Sequence, residues 1–425
     1  MWSFETDPDF KTELDWIDSF VREEVEPLDR LLGSQWDIHA PNFIRLVRPL
    51  QQQVRDRGLW ACHLGPALGG KGYGQLKLAL MNEKFGRSRF GPIVFGSQAP
   101  DTGNAEILAH YGTEDQKERF LIPLLANDIV SCFVMTEPQG GADPLLTKTK
   151  AVPEGDDWVI NGEKWFASNA RSAGFFIIMA VTDPDASPYR RMSMFIVPAE
   201  TPGIEIIRNH GFYGEPENTH AHMRWTNVRV PRENMLGERG DAFVVAQVRL
   251  GGGRMHHAMR TLAKATRAFE MMCERAVSRF TKGEQLSQKQ MVQEKIADSW
   301  VELRQFRLLV LETAWLADQG NDWKAIRKNV SAVKAIMPKL LHDISARALQ
   351  IHGSLGISHD MPFAEWLIDS FHVGLADGPT EIHKVAVARE VLKDVQPAAG
   401  MFPDYIGYEQ DARAYEKHGE AMAGN

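Results

Sequence analysis

Apolar residues recur every third or fourth position through Phe10, Leu14, Ile17, Val21, Val25 and Leu28, which puts them on one face of a helix. Asp7 and Pro8 just before the run supply a cap and a first helical position. A second helix is predicted over Pro41 to Gly58, followed by a glycine-rich run from Gly65 to Gly74. That run reads as a turn needing several left-handed residues rather than as a phosphate cradle. Helical pattern then resumes and continues to about Asn127.

The period changes at Val130. From there to about Gly237 the chain consists of short runs rich in Val, Ile, Phe and Trp, separated by turn residues. Trp158 to Gly162 reads as a strand ending in an Asn-Gly hairpin turn. Phe175 to Val181, Met192 to Val197, Ile204 to Ile207 and Ala221 to Val230 continue the series, which predicts a small barrel or sandwich. After Gly240 the helical period returns. Val292, Ile296, Trp300, Leu303, Phe306, Val310 and Ala314 mark one face, and a further helix runs from about Ala325 to Ile351 with a kink expected at Pro338. The pattern predicts an α+β multidomain protein. It comprises an N-terminal α-helical domain (1–129), a middle β-barrel or sandwich domain (130–237), a C-terminal four-helix bundle (238–395) and a C-terminal extension (396–425).

Composition narrows the function classes. The chain has 425 residues, 44% hydrophobic and 24% charged, and a net charge of −8 with no basic block. A general nucleic-acid surface needs clustered Lys and Arg, so none is expected. No apolar run reaches the length of about 18 residues that a membrane span needs. The acidic start, Met1 to Asp9, reads as neither a secretory signal nor a transit peptide. Cys62, Cys132 and Cys273 lie outside any metal-like spacing, and as reduced, buried thiols they point to a cytoplasmic setting. No histidine–carboxylate spacing suggests a metal.

Phe133-Val134-Met135-Thr136-Glu137-Pro138-Gln139-Gly140-Gly141-Ala142-Asp143 resembles a signature of the acyl-CoA dehydrogenases. Gly103-Asn104 with Tyr111 to Lys117, then Asn161-Gly162-Glu163-Lys164, then Leu349 to Gly356 match further stretches of that family in the expected order. The resemblance covers about residues 5 to 395. It implies a bound FAD, an acyl-CoA substrate, electron-transfer flavoprotein as acceptor, and a homodimer or homotetramer.

The same resemblance assigns residues. Backbone groups of Phe133, Met135 and Thr136 would face the flavin, with Gly141 leaving room for the flat ring. Arg279 would reach the flavin pyrophosphate across a subunit interface, with Gln290, Gln350 and Gly353 as further cofactor contacts and Glu381 near the flavin. Three positions depart from the common pattern: Ala142 stands for a serine, Phe166 for an indole and Ser168 for a threonine. Dehydrogenation also needs a carboxylate to remove the α proton while the β hydrogen leaves as hydride. Asp377 occupies the usual glutamate position in Ala376-Asp377-Gly378-Pro379-Thr380-Glu381, and Gly253 stands where the family's alternative glutamate would be. Arg254 and Gly378 are assigned to the substrate side, Arg254 ordering the base loop. A helix-capping role for Asp377 is the competing reading.

The Asp-Gly-Pro loop most resembles members acting on larger or unusual acyl-CoAs. Gly251-Gly252-Gly253 is read as a bare helix start that either widens the acyl pocket it borders or allows a close helix–helix contact. The aspartate also fits a nitroalkane-oxidase-like flavin oxidase, the alternative enzyme class. A non-enzymatic nucleic-acid-binding relative is disfavoured by the tail after Gln396, whose net charge is −3.

Overall fold

The computed structural model describes residues 5–32, 37–212, 215–320, 323–398 and 407–422, with the side chains of 212 and 215–219 left aside. The first helix, α1 (Pro8–Phe20), starts as its sequence dictates. The Asp7 carboxylate accepts the Phe10 N–H at 2.9 Å, and Pro8 takes the position where a missing N–H costs nothing. The whole apolar stripe from Phe10 to Leu28 is buried, although it crosses a π turn at Val21–Val25 before a short helix at Leu28–Leu31.

The helix predicted over Pro41 to Gly58 is two helices, Pro41–Leu46 and Arg48–Asp56. Pro49 has no N–H to continue the first, so the chain restarts with the proline in a new first turn. The glycine-rich run is a loop around one 3-10 turn, with Gly69, Gly72 and Gly74 at positive φ. It leads into α2 (Gly74–Phe85), and α3 (Asp101–Tyr111) follows after a connection that carries a short helix at Gly91–Val94. The N-terminal helices close at Asn127, whose φ of 60° ends the last turn.

The β region forms one eight-stranded sheet: β1 (Val130–Val134), β2 (Lys150–Glu154), β3 (Asp157–Ser168), β4 (Ala173–Val181), β5 (Met192–Pro198), β6 (Ile204–Phe212), β7 (Glu215–Pro231) and β8 (Met235–Leu236). Its order is β6-β7-β3-β2-β4-β5-β8, with β1 parallel to β4. The sheet curls on itself. Phe176 of β4 meets Trp225 of β7 edge-on at 5.5 Å, and Phe195 of β5 lies 5.5 Å from Trp158 of β3. The alternate residues of β4, Phe175, Ile177 and Met179, join a second core with Ile107 and Leu108 of α3. Both faces of β4 are therefore buried, which explains its unbroken apolar run.

The Asn161-Gly162 turn is not there: β3 runs straight through it. The tight turn sits at Gly155-Asp156, between the paired Glu154 and Asp157, with Gly155 at φ 66°. Gly162 is needed for contact, since a Cβ on it would lie 2.3 Å from Thr149 Oγ1. Asn161 instead accepts the Asn227 N–H beside a register shift between β3 and β7.

The C-terminal part packs α4 (Ala242–Ser278), α5 (Gln290–Asp318), α6 (Arg327–His352), α7 (Phe363–Leu375) and α8 (Thr380–Leu392). One apolar core joins Met255, Met259, Leu262, Phe306, Met337 and Leu341. Trp300 is outside it and 55% exposed, because the true stripe of α5 passes from Ile296 to Leu303. α6 continues through Pro338, whose ring approaches Gly374 of α7. The glycine run is inside α4 rather than at its start, since the helix begins nine residues earlier at Ala242. A last helix, Gly407–Met422, buries no residue. No described helix is long and apolar enough to cross a membrane.

Gly162→Ala is expected to cost about 1–3 kcal/mol through overpacking against Thr149. An unchanged urea midpoint would show that β3 does not approach Thr149 as described.

Candidate active site

A cavity of about 360 Å³ opens where β3 and β7, α3, α4 and α7 meet. Asp377 lies in its wall, in the turn between α7 and α8. Its φ is 56°, a left-handed conformation that aspartate tolerates better than most residues, and Gly378 continues the turn at φ 103°. The turn is pinned through its backbone. Arg254 Nε donates to the Asp377 carbonyl at 3.0 Å, and His383 Nε2 lies 3.3 Å from the same oxygen. The capping reading fails: Pro379 holds the N-cap position of α8 and no side chain caps it. The carboxylate instead lies 3.5 Å from His257 Nε2 and faces bare Gly253, where a Cβ would come within 3.2 Å of Oδ2.

Charge around this carboxylate is mostly positive. Burial pushes its pKa up, but His257 and the cations of Arg249, Arg254 and Lys334 outweigh this and hold it below the usual aspartate range. His257 itself is pulled down to about 4, chiefly by burial. Arg249 is held by several partners. Its Nε donates to Asn104 Oδ1 at 2.9 Å, its guanidinium lies 4.0 Å from the Phe133 ring centre, and burial lowers its pKa. Asn104 in turn donates to Ser131, and Ser131 donates from both its N–H and its hydroxyl to Asp101. Glu106, pushed up to about 7 by burial, stands against Gly252 and is the second carboxyl near Arg249.

The segment after β1 continues from Phe133, whose ring lies against Arg249. The Met135 carbonyl accepts from Lys164 Nζ at 2.8 Å, and the Thr136 carbonyl accepts from Trp165 N at 3.0 Å. Lys164 also pairs with Glu137 at 2.9 Å, both side chains being almost wholly buried at 0% and 2% exposure. Glu137 further accepts the N–H groups of Lys148 and Thr149, so one carboxylate staples the turn to the start of β2. Gly141 and Ala142 are exposed, and a Cβ on Gly141 would meet nothing nearer than 4.0 Å. Phe166 has φ 51° and is 43% exposed, with its ring stacked on His210 at 4.5 Å. Ser168 lines the cavity and bonds His220 Nδ1 at 2.8 Å.

Arg279, Gln290, Gln350 and Gly353 are all exposed and gather at the other end of the bundle. The Arg279 carbonyl accepts from Leu286, which leads into Gln290 at the start of α5, while His352 senses the charge of Arg275. Arg254 and the end of α4 at Ser278 are 24 residues apart on one helix, so about 36 Å separates the two groups. Glu381 is exposed in the first turn of α8. Within one chain the structure thus brings together Asp377, Arg254, Phe133 and Ser168, and leaves Arg279, Gln290, Gln350 and Gly353 apart from them.

Arg249 and His220 escaped the sequence reading. An arginine on the buried face that carries Val245, Ala246 and Gly252 was a usable signal for the first. No local signal marked His220, which reaches the cavity only through its cross-strand pairing with Ser168. Of the three cysteines, Cys62 and Cys132 are buried and Cys273 is partly exposed. Among the described residues no group of ligating side chains could hold a metal.

Comparison with known proteins agrees with this geometry. Models of the acyl-CoA dehydrogenase N-terminal, middle and C-terminal domains match residues 9–128, 132–228 and 240–392. FadE2 of Mycobacterium tuberculosis, which bears an acyl-CoA dehydrogenase name, is 39% identical over 82% of this chain and 86% of its own. Acyl-CoA dehydrogenase family member 11 of Gallus gallus is 37% identical over 89% of this chain, which spans only 50% of that relative. A solved acyl-CoA dehydrogenase-type structure from Mycobacterium abscessus superposes with a TM-score of 0.84 at 37% identity, covering 92% of this chain and 99% of that one. The chain belongs to the acyl-CoA dehydrogenase family. It is an oxidoreductase of that family, and FAD is its cofactor.

His63 and His256 lie face to edge beside the cavity, 6.2 Å apart, and none of their four ring nitrogens has a hydrogen-bond partner. Burial drives His63 down to about 3 and His256 well below its ordinary 6.5. The unfolded chain therefore binds more protons between these values, so stability is full above pH 6.5 and falls as the pH drops below it. His63→Leu should flatten that fall between pH 7.5 and pH 5 in denaturant titrations. An equal slope in both proteins would refute it.

Proposed function

We propose that the protein oxidises an acyl-CoA thioester to the 2-enoyl-CoA, with Asp377 as the base that takes the α proton. The observation that carries this reading is an aspartate carboxylate held in the cavity wall by bonds to its own backbone, so that its oxygens remain available. Cationic neighbours keep it ionised and ready to accept a proton. An acyl chain filling the cavity would exclude water and move its pKa upward, towards that of the proton it must remove.

The residues present fit FAD. Phe166 offers an exposed aromatic face, the Gly140-Gly141 turn lets backbone come close to a flat ring, and Gly353 is open at the end of α6. The carbonyls of Met135 and Thr136 are engaged internally, so their N–H groups would meet the cofactor. Donors there favour the negative charge of reduced flavin. When bound, FAD supplies the acceptor for the β hydrogen, which leaves as hydride. Ala142 offers no hydroxyl, while Ser168 keeps one.

Arg279, Gln290, Gln350 and Gly353 act on the cofactor of a second copy. The distance along α4 is longer than an extended FAD, and Val277, Phe280 and Met291 expose apolar surface around Arg279 as an interface would require. This supports a homodimer or a pair of dimers. Electron-transfer flavoprotein fits as the acceptor because the chain's resemblance is to dehydrogenases that use it. An aspartate base keeps a nitroalkane oxidase as the second reading.

Anaerobic titration of the yellow enzyme with acyl-CoAs decides between them. Bleaching by a thioester is expected, whereas oxygen uptake with a nitroalkane and no bleaching by any thioester would overturn the proposal. Asp377→Asn should slow bleaching by about 10²–10⁴-fold while FAD stays bound. Full activity in that variant removes Asp377 from the role. Arg279→Ala should weaken FAD binding by about tenfold, measured by fluorescence titration of the apoprotein. Unchanged affinity would argue against the shared site.

A further inference from the structure

His220 stands directly opposite Ser168 in the β3–β7 pairing, and its Nδ1 is 2.8 Å from the Ser168 hydroxyl. Both residues line the cavity. The imidazole has His372 of α7 edge-on at 5.7 Å and the Phe166 ring tilted at 6.4 Å, and it makes a hydrogen bond to the Phe166 backbone. A serine hydroxyl rotates freely unless a partner fixes it, and here the partner is a ring held on three sides.

We propose that His220 is a positioning residue which fixes the Ser168 hydroxyl as a donor to Nδ1, so that Ser168 turns an oxygen lone pair towards the flavin. Burial lowers the His220 pKa to about 4, so the ring is neutral and carries a single N–H. In the proposed arrangement that N–H is given to the Phe166 backbone, and Nδ1 accepts the Ser168 proton. A lone pair facing a ring nitrogen suits the nitrogen better when it bears hydrogen than when it does not. The arrangement therefore favours reduced over oxidised FAD, and with it uptake of the substrate's hydride. Removal of the histidine lets the hydroxyl turn and present its proton instead. This inference rests on the flavin reading above and assigns the tuning of that site to a residue outside the signature stretches.

The test measures the midpoint potential and visible spectrum of FAD bound to wild type, His220→Phe, His220→Asn, Ser168→Ala and the His220→Phe/Ser168→Ala double variant. His220→Phe should lower the potential, shifting the oxidised-to-reduced ratio at fixed potential by about fivefold, the worth of one ordinary hydrogen bond. The asparagine amide can place an oxygen near the position of Nδ1 and should restore most of that shift. The double variant should match Ser168→Ala alone, since His220 acts only through the hydroxyl. Additive effects, or a His220→Phe potential equal to wild type, would overturn the proposal. So would equal loss in the phenylalanine and asparagine variants, the mark of a packing role. An apoprotein with no measurable affinity for FAD would sink the flavin reading itself and this inference with it. Bleaching by acyl-CoA without a His220 effect would sink only the latter.

Discussion

Three consecutive glycines in α4 set how closely everything at the active site can gather. Successive residues of a helix point about 100° apart, so Gly251, Gly252 and Gly253 face three different neighbours. Added Cβ atoms would lie 2.5 Å from Trp323, 2.9 Å from Glu106 and 3.2 Å from Asp377 respectively. Each glycine costs a helix interior roughly 1 kcal/mol relative to alanine. The long helix accepts this because it is held along its length by the bundle core and by the second core beneath β4. One bare stretch thus lets α3, the segment before α6 and the base turn all approach the same axis.

Much of the architecture was readable from periodicity, because helices and strands that bury one face must repeat their apolar positions. The stripe from Phe10 to Leu28 is of this kind, while β4 and β5, buried on both faces, show instead as nearly continuous apolar runs. Errors arose where a local rule met a tertiary contact. Asn161-Gly162 has the composition of a turn, yet Thr149 needs a residue without a side chain inside a strand. Trp300 has the right spacing but the wrong side of its helix. Pro49 divided a helix that periodicity alone had joined.

The site was legible to a different degree. Asp377 and Arg254 could be singled out by position in recognisable stretches, and the structure places them in contact through the backbone. Arg249 offered only its place on a buried helix face, and His220 offered nothing, because their partners are far away in sequence: Asn104 and Phe133 for one, Ser168 for the other. Phe166 shows the same limit. Its smaller ring was visible in the sequence, but not that His210 would stack behind it and occupy part of the space an indole would fill.

The left-handed turn at Asp377 also limits which acid can stand there. Aspartate adopts that conformation at little expense, whereas glutamate gains no comparable help from a short side chain that can bond locally. Once the turn has closed and Arg254 and His383 hold its carbonyl, lengthening the acid by one methylene would require the backbone to be redrawn and the room beside Gly253 to change as well. The shorter acid and the empty helix face are therefore linked in space, and a change in one presses on the other.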